Sequence, residues 1–213
     1  MNFDEFSVSL SKIKNIPLPA EASQFKMSPP FRRELIEEYK ERIKDAKRAG
    51  VMALFYPGNA METHLALILR KTYKGVHSAQ IGFPGGKYEA IDKTLKDTAI
   101  RETWEEIGVP NHQIQVIRQM TEVYIPPSNF YVQPFIGIAA QTPKFIKQDE
   151  EVEGIIEVSL THFLDETNVV TKSVTTSYTT KIEVPAFELN GHIVWGATAM
   201  MLSEIKDTLK KVL

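Results

Sequence analysis

The sequence predicts an α/β fold, with strands that form a sheet and amphipathic helices that cover it. Short runs rich in β-branched and apolar residues, such as Val51–Tyr56 and Phe130–Ala139, are typical of buried strands. Two other segments repeat apolar residues at helical spacing, one from about Thr94 to Ile107 and one from Gly196 to Leu213. With 213 residues and 43% hydrophobic content, the chain can bury a substantial core in one main domain.

The N-terminal part is predicted to be helical. Its first apolar residues recur at the spacing of a short amphipathic helix: Phe3, Phe6, Leu10 and Ile13. A second, charged helix is predicted from Arg33 to Ala49, ended by Gly50. We therefore divide the chain into an N-terminal helical extension, residues 1–48, and a main domain, residues 49–213. The extension is expected to cover apolar surface on this domain or between the subunits of a homodimer.

The remaining elements follow from strand and turn signals. Strands are predicted at Val51–Tyr56, Thr63–Arg70, Gln113–Ile125, Phe130–Ala139 and Gln148–Val158. Two β-branched runs within Val169–Val184 suit a hairpin. Asn190-Gly191 is a hairpin turn signal that requires positive φ at both residues, and a strand, His192–Trp195, follows it. The terminal helix, Gly196–Leu213, has an apolar face whose methionines we assign to the core.

The strongest chemical signal lies in residues 83–109, a glycine-rich turn followed by an acidic helix. Glu102, Glu105 and Glu106 lie at i, i+3 and i+4, so their carboxylates share one helix face. Like charges at this spacing cost about 0.2–0.5 kcal/mol each, and the turn before Gly108, a predicted left-handed C-cap, favours Lys or Arg. A divalent cation held by carboxylate oxygens would compensate for the repulsion. A solvated acidic face is the alternative, and it is the commoner origin of such a pattern in isolation.

In context, GGKYEAIDKTLKDTAIRETWEEIGV resembles the Nudix box, whose family pattern is G-x5-E-x7-R-E-U-x-E-E-x-G-U, with U apolar. The matching residues are Gly86, Arg101, Glu102, Glu105, Glu106, Gly108 and Val109. Asp92 stands where the family has its first Glu, eight residues rather than seven separate it from Arg101, and Thr103 replaces an apolar residue. The branch of the family that cleaves coenzyme A commonly shows the first two departures.

The resemblance implies the Nudix α/β/α sandwich, a mixed β-sheet with the box helix on one side and the terminal helix on the other. It also implies a site for Mg²⁺ or Mn²⁺, which hard carboxylate and carbonyl oxygens suit. The implied metal ligands are Glu102, Glu105, Glu106 and a carbonyl of Gly85 or Gly86. Arg101 would orient a glutamate by a charge-assisted bond. Either Glu102 or the downstream Glu151 would help to deprotonate the attacking water, and the sequence leaves this choice open.

Segments around the box extend the resemblance to the coenzyme A branch from about Val51 to the end of the chain. HSAQIGFPGG resembles the lead-in of that branch and makes His77 a candidate substrate contact, although a lone loop histidine is usually a surface residue. The segment PPSNF looks like the family's PPSxF corner and adds Ser128. Arg70 and Lys74 are the nearest basic residues for the 3′-phosphate of coenzyme A. The alternative for Arg70 is a strand-end charge that faces water.

The function implied is metal-dependent hydrolysis of a nucleoside diphosphate linked to another moiety. Coenzyme A or an acyl derivative is the first choice, with 3′,5′-ADP and a phosphopantetheine as products. An ADP-ribose or dinucleotide pyrophosphatase is one alternative, and a non-catalytic Nudix-like nucleotide-binding module is another. The acidic patch argues against the last, since a pure binding module has no reason to keep a destabilising cluster of carboxylates.

Composition restricts the partners and the compartment. The chain has no cysteine, which excludes disulfides, thiolate zinc sites and a cysteine nucleophile and is compatible with a reducing cytosol. A formal charge of −2 with dispersed Lys and Arg gives no basic field for nucleic acid. No apolar run approaches the roughly 20 residues that cross a bilayer, so no membrane partner is expected. These features predict a cytoplasmic protein.

Overall fold

The computed structural model describes residues 1–71, 80–175 and 181–213. Its α-helices are α1 (Phe3–Leu10), α2 (Glu21–Gln24), α3 (Arg32–Glu38), α4 (Leu95–Ile107), α5 (Leu160–Leu164) and α6 (Gly196–Leu209). Its strands are β1 (Lys47–Pro57), β2 (Thr63–Arg70), β3 (Ile81–Gly82), β4 (Gly85–Lys87), β5 (Ile114–Gln119), β6 (Val123–Ile125), β7 (Phe130–Ala139), β8 (Val152–Ser159), β9 (Val169–Val174), β10 (Ile182–Leu189) and β11 (His192–Trp195). No helix in the described ranges is long and apolar enough to cross a bilayer.

Within these ranges, eight strands form one mixed sheet around β1. Its central order is β3-β2-β1-β7-β5, and β4, β6 and β8 pair with β1, β7 and β2. β1 runs parallel to β7 from the Lys47–Phe130 pair to the Phe55–Ile138 pair. The other neighbours in this sheet are antiparallel. A smaller antiparallel sheet has the order β11-β10-β9.

Side chains along β1 alternate between the two faces of the sheet. On one face, three of them belong to the apolar cluster that includes α1 and α6: Val51, Ala53 and Phe55. On the other face, three belong to the cluster that includes α4: Met52, Leu54 and Tyr56. The box helix and the terminal helix therefore cover opposite faces. This arrangement confirms the predicted α/β/α sandwich with an N-terminal helical segment.

The N-terminal segment packs on the α6 side of its own sheet. Phe6 is fully buried, and its ring centroid lies 5.1 Å from that of Phe55 in β1. Further along, Gln24 Nε2 donates a hydrogen bond of 3.0 Å to the buried Glu204 carboxylate of α6. The segment thus covers apolar surface of its own chain. No contact between subunits is needed to explain its burial.

The predicted helix from Arg33 to Ala49 is wrong beyond Glu38. A 3₁₀ turn spans Lys40–Asp45, and β1 begins at Lys47, because pairing with β7 outweighs the local helical pattern. Gly50 ends no helix: a Cβ there would lie 2.2 Å from the carbonyl oxygen of Leu95, so glycine lets α4 approach the strand. The boundary predicted between residues 48 and 49 falls inside β1.

Other boundaries also differ from prediction. The strand predicted over Gln113–Ile125 is two strands, since the Gln133 side chain donates to the Met120 carbonyl at 2.6 Å, between β5 and β6. β8 begins at Val152 rather than Gln148, and α6 ends at Leu209. The predicted bounds of β2, β7 and β11 are confirmed. The turn between β10 and β11 has positive φ at both residues, 49° and 79°, as predicted.

Candidate active site

The glycine-rich turn brings backbone donors to the acidic helix. Gly85 has a φ of 150° and its Cβ would lie 2.5 Å from the Gly50 carbonyl oxygen, so only glycine fits. Its N–H donates a 2.7 Å hydrogen bond to Oε2 of Glu106. At Gly86, a Cβ would lie 2.4 Å from the carboxyl carbon of Glu102. The two glycines therefore allow the backbone to lie directly against two of the predicted metal ligands.

Helix α4 carries the carboxylates. Thr94 caps its N-terminus through a 3.3 Å bond from the Asp97 N–H, and Gly108 caps the C-terminus in the left-handed conformation, as predicted. Ala99 and Ile107 pack on the sheet. The last turn contains no basic residue. The acidic patch is thus held on a well-capped helix whose own dipole does not favour it.

Burial raises the pKa of two of these carboxyl groups. The Glu106 side chain is only 2% exposed, and burial raises its pKa to about 7, although Arg70 and the Gly85 N–H oppose the rise. Burial also raises the pKa of Glu102, and Arg101 opposes that rise. The Glu105 side chain is 44% exposed. The carboxylates on this helix face therefore differ in exposure: Glu106 is buried and Glu105 reaches the surface.

Arg101 is the electrostatic centre of this group. Its Nε and Nη2 each donate a 3.0 Å bond to Asp92, one to each carboxylate oxygen. Its Nη1 donates to Oε1 of Glu102 at 2.8 Å and to Oε2 of Glu105 at 2.9 Å. The bonds with Asp92 raise the pKa of Arg101, and they lower the pKa of Asp92 to about 2. Arg101 therefore orients two glutamates while Asp92 fixes its guanidinium.

These groups line a cleft of about 720 Å³, the carboxylate cleft. Its lining includes Glu89, Glu102, Glu105, Glu106 and Glu151. The Gln148 side-chain oxygen accepts a 2.7 Å bond from the Glu151 N–H, which fixes the backbone of that loop. Glu151 also opposes ionisation of Glu102 and Glu106 through its charge. The downstream carboxylate predicted from sequence thus shares the cleft with the helix.

The predicted substrate contacts have different outcomes. Arg70 lies at the end of β2, and it does not simply face water: Nη2 donates to the Gly85 carbonyl at 2.8 Å, and Nη1 lies 3.4 Å from Glu106. Ser128 lies outside the carboxylate cleft, in a neighbouring cavity. Lys74 and His77 fall outside the described residues. The Gly85 carbonyl accepts this one bond, and a carbonyl of Gly85 or Gly86 stays the predicted metal ligand.

The NUDIX domain family model matches residues 46–176 of this chain, and that segment contains every residue of the carboxylate cleft. The chain belongs to the NUDIX domain family. Over 99 residues it is 34% identical to the uncharacterized Nudix hydrolase NudL of Yersinia enterocolitica, a match covering 46% of this chain and 50% of that protein. The chain thus spans about half the length of the curated relatives it matches.

Two solved structures resemble the fold over most of the chain. A Nudix hydrolase from M. smegmatis, RenU, has a TM-score of 0.55 at 15% identity and covers 79% of this chain and 88% of its own. The MutT protein from Methanosarcina mazei Go1 has a TM-score of 0.50 at 17% identity, with 78% and 98% covered. At these identities the likeness shows the Nudix fold and nothing finer.

Nudix hydrolases generally use divalent metals, and the donor set of this cleft fits one. It consists of carboxylate oxygens, which Mg²⁺ and Mn²⁺ prefer. Arg101 binds one oxygen of Glu102 and one of Glu105, so it does not engage the second oxygen of either. In the part of the chain that the structure describes, no three acidic or histidine side chains already form a metal cluster.

Sequence reasoning missed the role of Asp92. In the sequence this residue stands out only as a departure from the Nudix pattern, yet its side chain is 3% exposed and also accepts bonds from the Thr98 hydroxyl and the Glu89 N–H. The eight-residue spacing to Arg101 was the available signal. Gln148, and the half-exposed Trp104 on the cleft wall, were also not anticipated.

Proposed function

We propose that this Nudix protein is a divalent-metal-dependent pyrophosphohydrolase that cleaves a nucleoside diphosphate linked to another moiety. The observation that carries the proposal is the carboxylate cleft itself. Three glutamates of α4 and Glu151 line one cleft beside the glycine-rich turn, with Arg101 bound to two of them. A binding module would gain nothing from burying Glu106, whose ionisation the surroundings oppose.

Each residue of the cleft has a proposed role in the reaction that follows from its position. Glu102, Glu105 and Glu106, with the Gly86 carbonyl, would hold Mg²⁺ or Mn²⁺, which neutralises charge on the phosphoryl oxygens and favours deprotonation of water. Arg101 keeps Glu102 and Glu105 in place. Glu102 or Glu151 accepts the proton of the attacking water. Arg70, at the end of β2, is placed to contact the diphosphate, because it lines both the cleft and the adjoining cavity.

Coenzyme A or an acyl-coenzyme A is the proposed substrate. One water adds across the diphosphate bond, so that one phosphorus gains the water oxygen and the other keeps the bridging oxygen. The products are 3′,5′-ADP and the 4′-phosphopantetheine, acylated or not. Support comes from the resemblance of HSAQIGFPGG and PPSNF to the coenzyme A branch and from the Asp92 variant of the box. Lys74 and His77 remain part of the proposed substrate contacts.

A substrate panel tests the proposal. Wild-type protein and Glu106→Gln are incubated with coenzyme A, ADP-ribose, NADH and nucleoside triphosphates in the presence of Mg²⁺ or Mn²⁺. We expect coenzyme A to be cleaved fastest, excess EDTA to stop the reaction, and Glu106→Gln to lose nearly all turnover. Glu150→Gln is the matched control, since this exposed neighbour of Glu151 is not part of the cleft lining.

Each outcome decides one level of the proposal. Faster cleavage of ADP-ribose or a dinucleotide would refute the coenzyme A assignment and keep the hydrolase. Activity in excess EDTA, or in Glu106→Gln at wild-type rates, would refute the metal site. Tight binding of a nucleotide with no cleavage of any substrate would show a non-catalytic module.

A further inference from the structure

A second cavity adjoins the carboxylate cleft. It has a volume of about 550 Å³, within the range of small-molecule sites. Four residues line both spaces: Arg70, Gly85, Gly86 and Lys87. A substrate with its diphosphate at this shared boundary would therefore extend one of its halves into the second cavity, which we call the side cavity.

The wall of the side cavity differs from the cleft in charge. Large apolar residues form much of it, including Phe31, Leu35, Ile125, Phe130, Trp195 and Met201. Among the described lining residues there is no Asp or Glu, but there are three cations, Arg32, Arg70 and Lys87. Arg70 is bound to the Gly85 carbonyl and lies beside Glu106. Arg32 is the cation that lies away from the shared boundary, since it lines the side cavity alone.

Arg32 is held in place but incompletely satisfied. Its Nη2 donates a 2.7 Å bond to the Tyr124 carbonyl, while its Nε is buried and has no hydrogen-bond partner in the described ranges. Ser128, on the same cavity wall, has a buried hydroxyl that also lacks a partner there. Buried donors without partners are unfavourable, so two such donors on residues of one cavity wall are candidates for hydrogen bonds with a ligand. Burial also lowers the pKa of Arg32, with Glu21 opposing.

We propose that Arg32 and Ser128 form an anion subsite that binds a phosphate group which the substrate carries apart from its diphosphate. This rests on the proposed function for the orientation of the substrate. The planar guanidinium can bind two phosphate oxygens at once, and the apolar wall holds the part of the substrate between the two phosphate positions. Arg32 lies outside residues 46–176, so the N-terminal segment supplies a specificity determinant that the NUDIX domain match does not contain.

Two matched ligand pairs test the subsite: coenzyme A against 3′-dephospho-coenzyme A, and NADP⁺ against NAD⁺. Binding is measured in EDTA, without turnover, by the fluorescence of Trp195 in a Trp104→Phe background, since the sequence contains only these two tryptophans. We expect the phosphorylated member of at least one pair to bind 10-fold or more tightly. Arg32→Gln, which keeps a donor for the Tyr124 carbonyl, should abolish that difference, and Ser128→Ala should reduce it. Arg33→Ala is the control, since this exposed arginine of α3 does not line the cavity.

Absence of a preference in both pairs, or a preference that survives Arg32→Gln, would overturn the subsite. If Arg32→Gln does not fold, Arg32→Lys decides, because it keeps the charge but loses the fork and should weaken the preference at least threefold. The two proposals fail separately. Phosphate-selective binding with no cleavage would refute the hydrolase and keep the subsite. Cleavage in which KM is unchanged by Arg32→Gln for every substrate would refute the subsite and keep the hydrolase.

Discussion

Glu106 lowers the stability of the folded chain when it is ionised, although its position is fixed by contacts with Gly85 and Arg70. The pKa of Glu106 is about 7 in the folded chain, and its ordinary value is 4.5. Between pH 4.5 and pH 7 the carboxyl group is therefore protonated in the folded state and ionised in the unfolded state. Stability conferred by the protonated group is complete below pH 4.5 and is lost as pH rises through 7. Above pH 7, a pKa shift of this size lowers the free energy of unfolding by about 3 kcal/mol relative to acid solution.

Glu106→Gln should therefore stabilise the metal-free protein in alkaline solution. In EDTA at pH 8 we expect the variant to melt at least about 4 °C above wild type, and at pH 5 the difference should fall to about a quarter of that. Thermal unfolding followed by circular dichroism at both pH values measures this. The exposed Glu150→Gln should shift neither melting temperature. A variant that is less stable than wild type at pH 8 would contradict the assigned burial cost.

Arg101 illustrates a residue that acts through its neighbours. Arg101→Lys keeps the charge but cannot bind both oxygens of Asp92, so Glu102 and Glu105 lose their fixed partner. We expect kcat to fall by roughly 10–100-fold, the range for residues that orient metal ligands. The pKa of Asp92, about 2 in the wild type, should rise, so the stability that its ionisation confers above pH 4 should be smaller and the acid transition should move to higher pH.

Kinetics and acid unfolding of the same preparations separate these effects. Arg48→Lys is the matched control, because Arg48 forms a 2.7 Å pair with Glu122 at the surface, away from the cleft. It should leave kcat and the acid transition near wild type. An Arg101→Lys variant with wild-type kcat would show that Arg101 does not position the glutamates.

At the scale of elements, the sequence predicted what local patterning controls. Helix α4 and its left-handed C-cap could be predicted because its apolar period and Gly108 agree, whereas the side-chain cap at Thr94 is seen only in the structure. The bounds of β2 and β7 followed from runs flanked by turn residues. The start of β1 could not be predicted, because Lys47–Gly50 has a helical charge pattern and becomes a strand only through pairing with β7. Long-range pairing of this kind leaves no local signal.

The candidate site could also be predicted only where local sequence patterning determines it. The spacing of Glu102, Glu105 and Glu106 indicates a shared carboxylate face without any structure. Contacts between distant segments are not visible in this way. The bond between the Gly85 N–H and Glu106 depends on a turn and a helix that meet only in the fold. The side cavity likewise needs α3, the Pro126–Ser128 turn and α6 to be brought together.

At the scale of the whole molecule, we propose that residues 1–48 are an extension that folds only on the domain formed by residues 49–213. Five of its apolar side chains are 3% exposed or less: Phe3, Phe6, Leu10, Ile13 and Met27. Full burial of such side chains contributes about 1.5–3 kcal/mol each, so their sum approaches the 5–15 kcal/mol that typically stabilises a domain. Arg118 of β5 adds bonds to the Ile13 carbonyl at 2.7 Å and the Ile16 carbonyl at 2.9 Å.

Two substitutions on α1 and one truncated chain test this dependence. Phe6→Ala removes a ring that packs on Phe55 and should destabilise the whole protein by about 3–5 kcal/mol, a fall in melting temperature of roughly 6–20 °C. Val8→Ala changes a side chain that is 68% exposed on the same helix and should have little effect. Calorimetry should show one transition in both variants, because the extension and the sheet share one core.

A chain starting at Lys47, which keeps β1 intact, should be insoluble or far less stable. If that chain instead kept its solubility, its oligomeric state and its melting temperature, the extension would have no covering role.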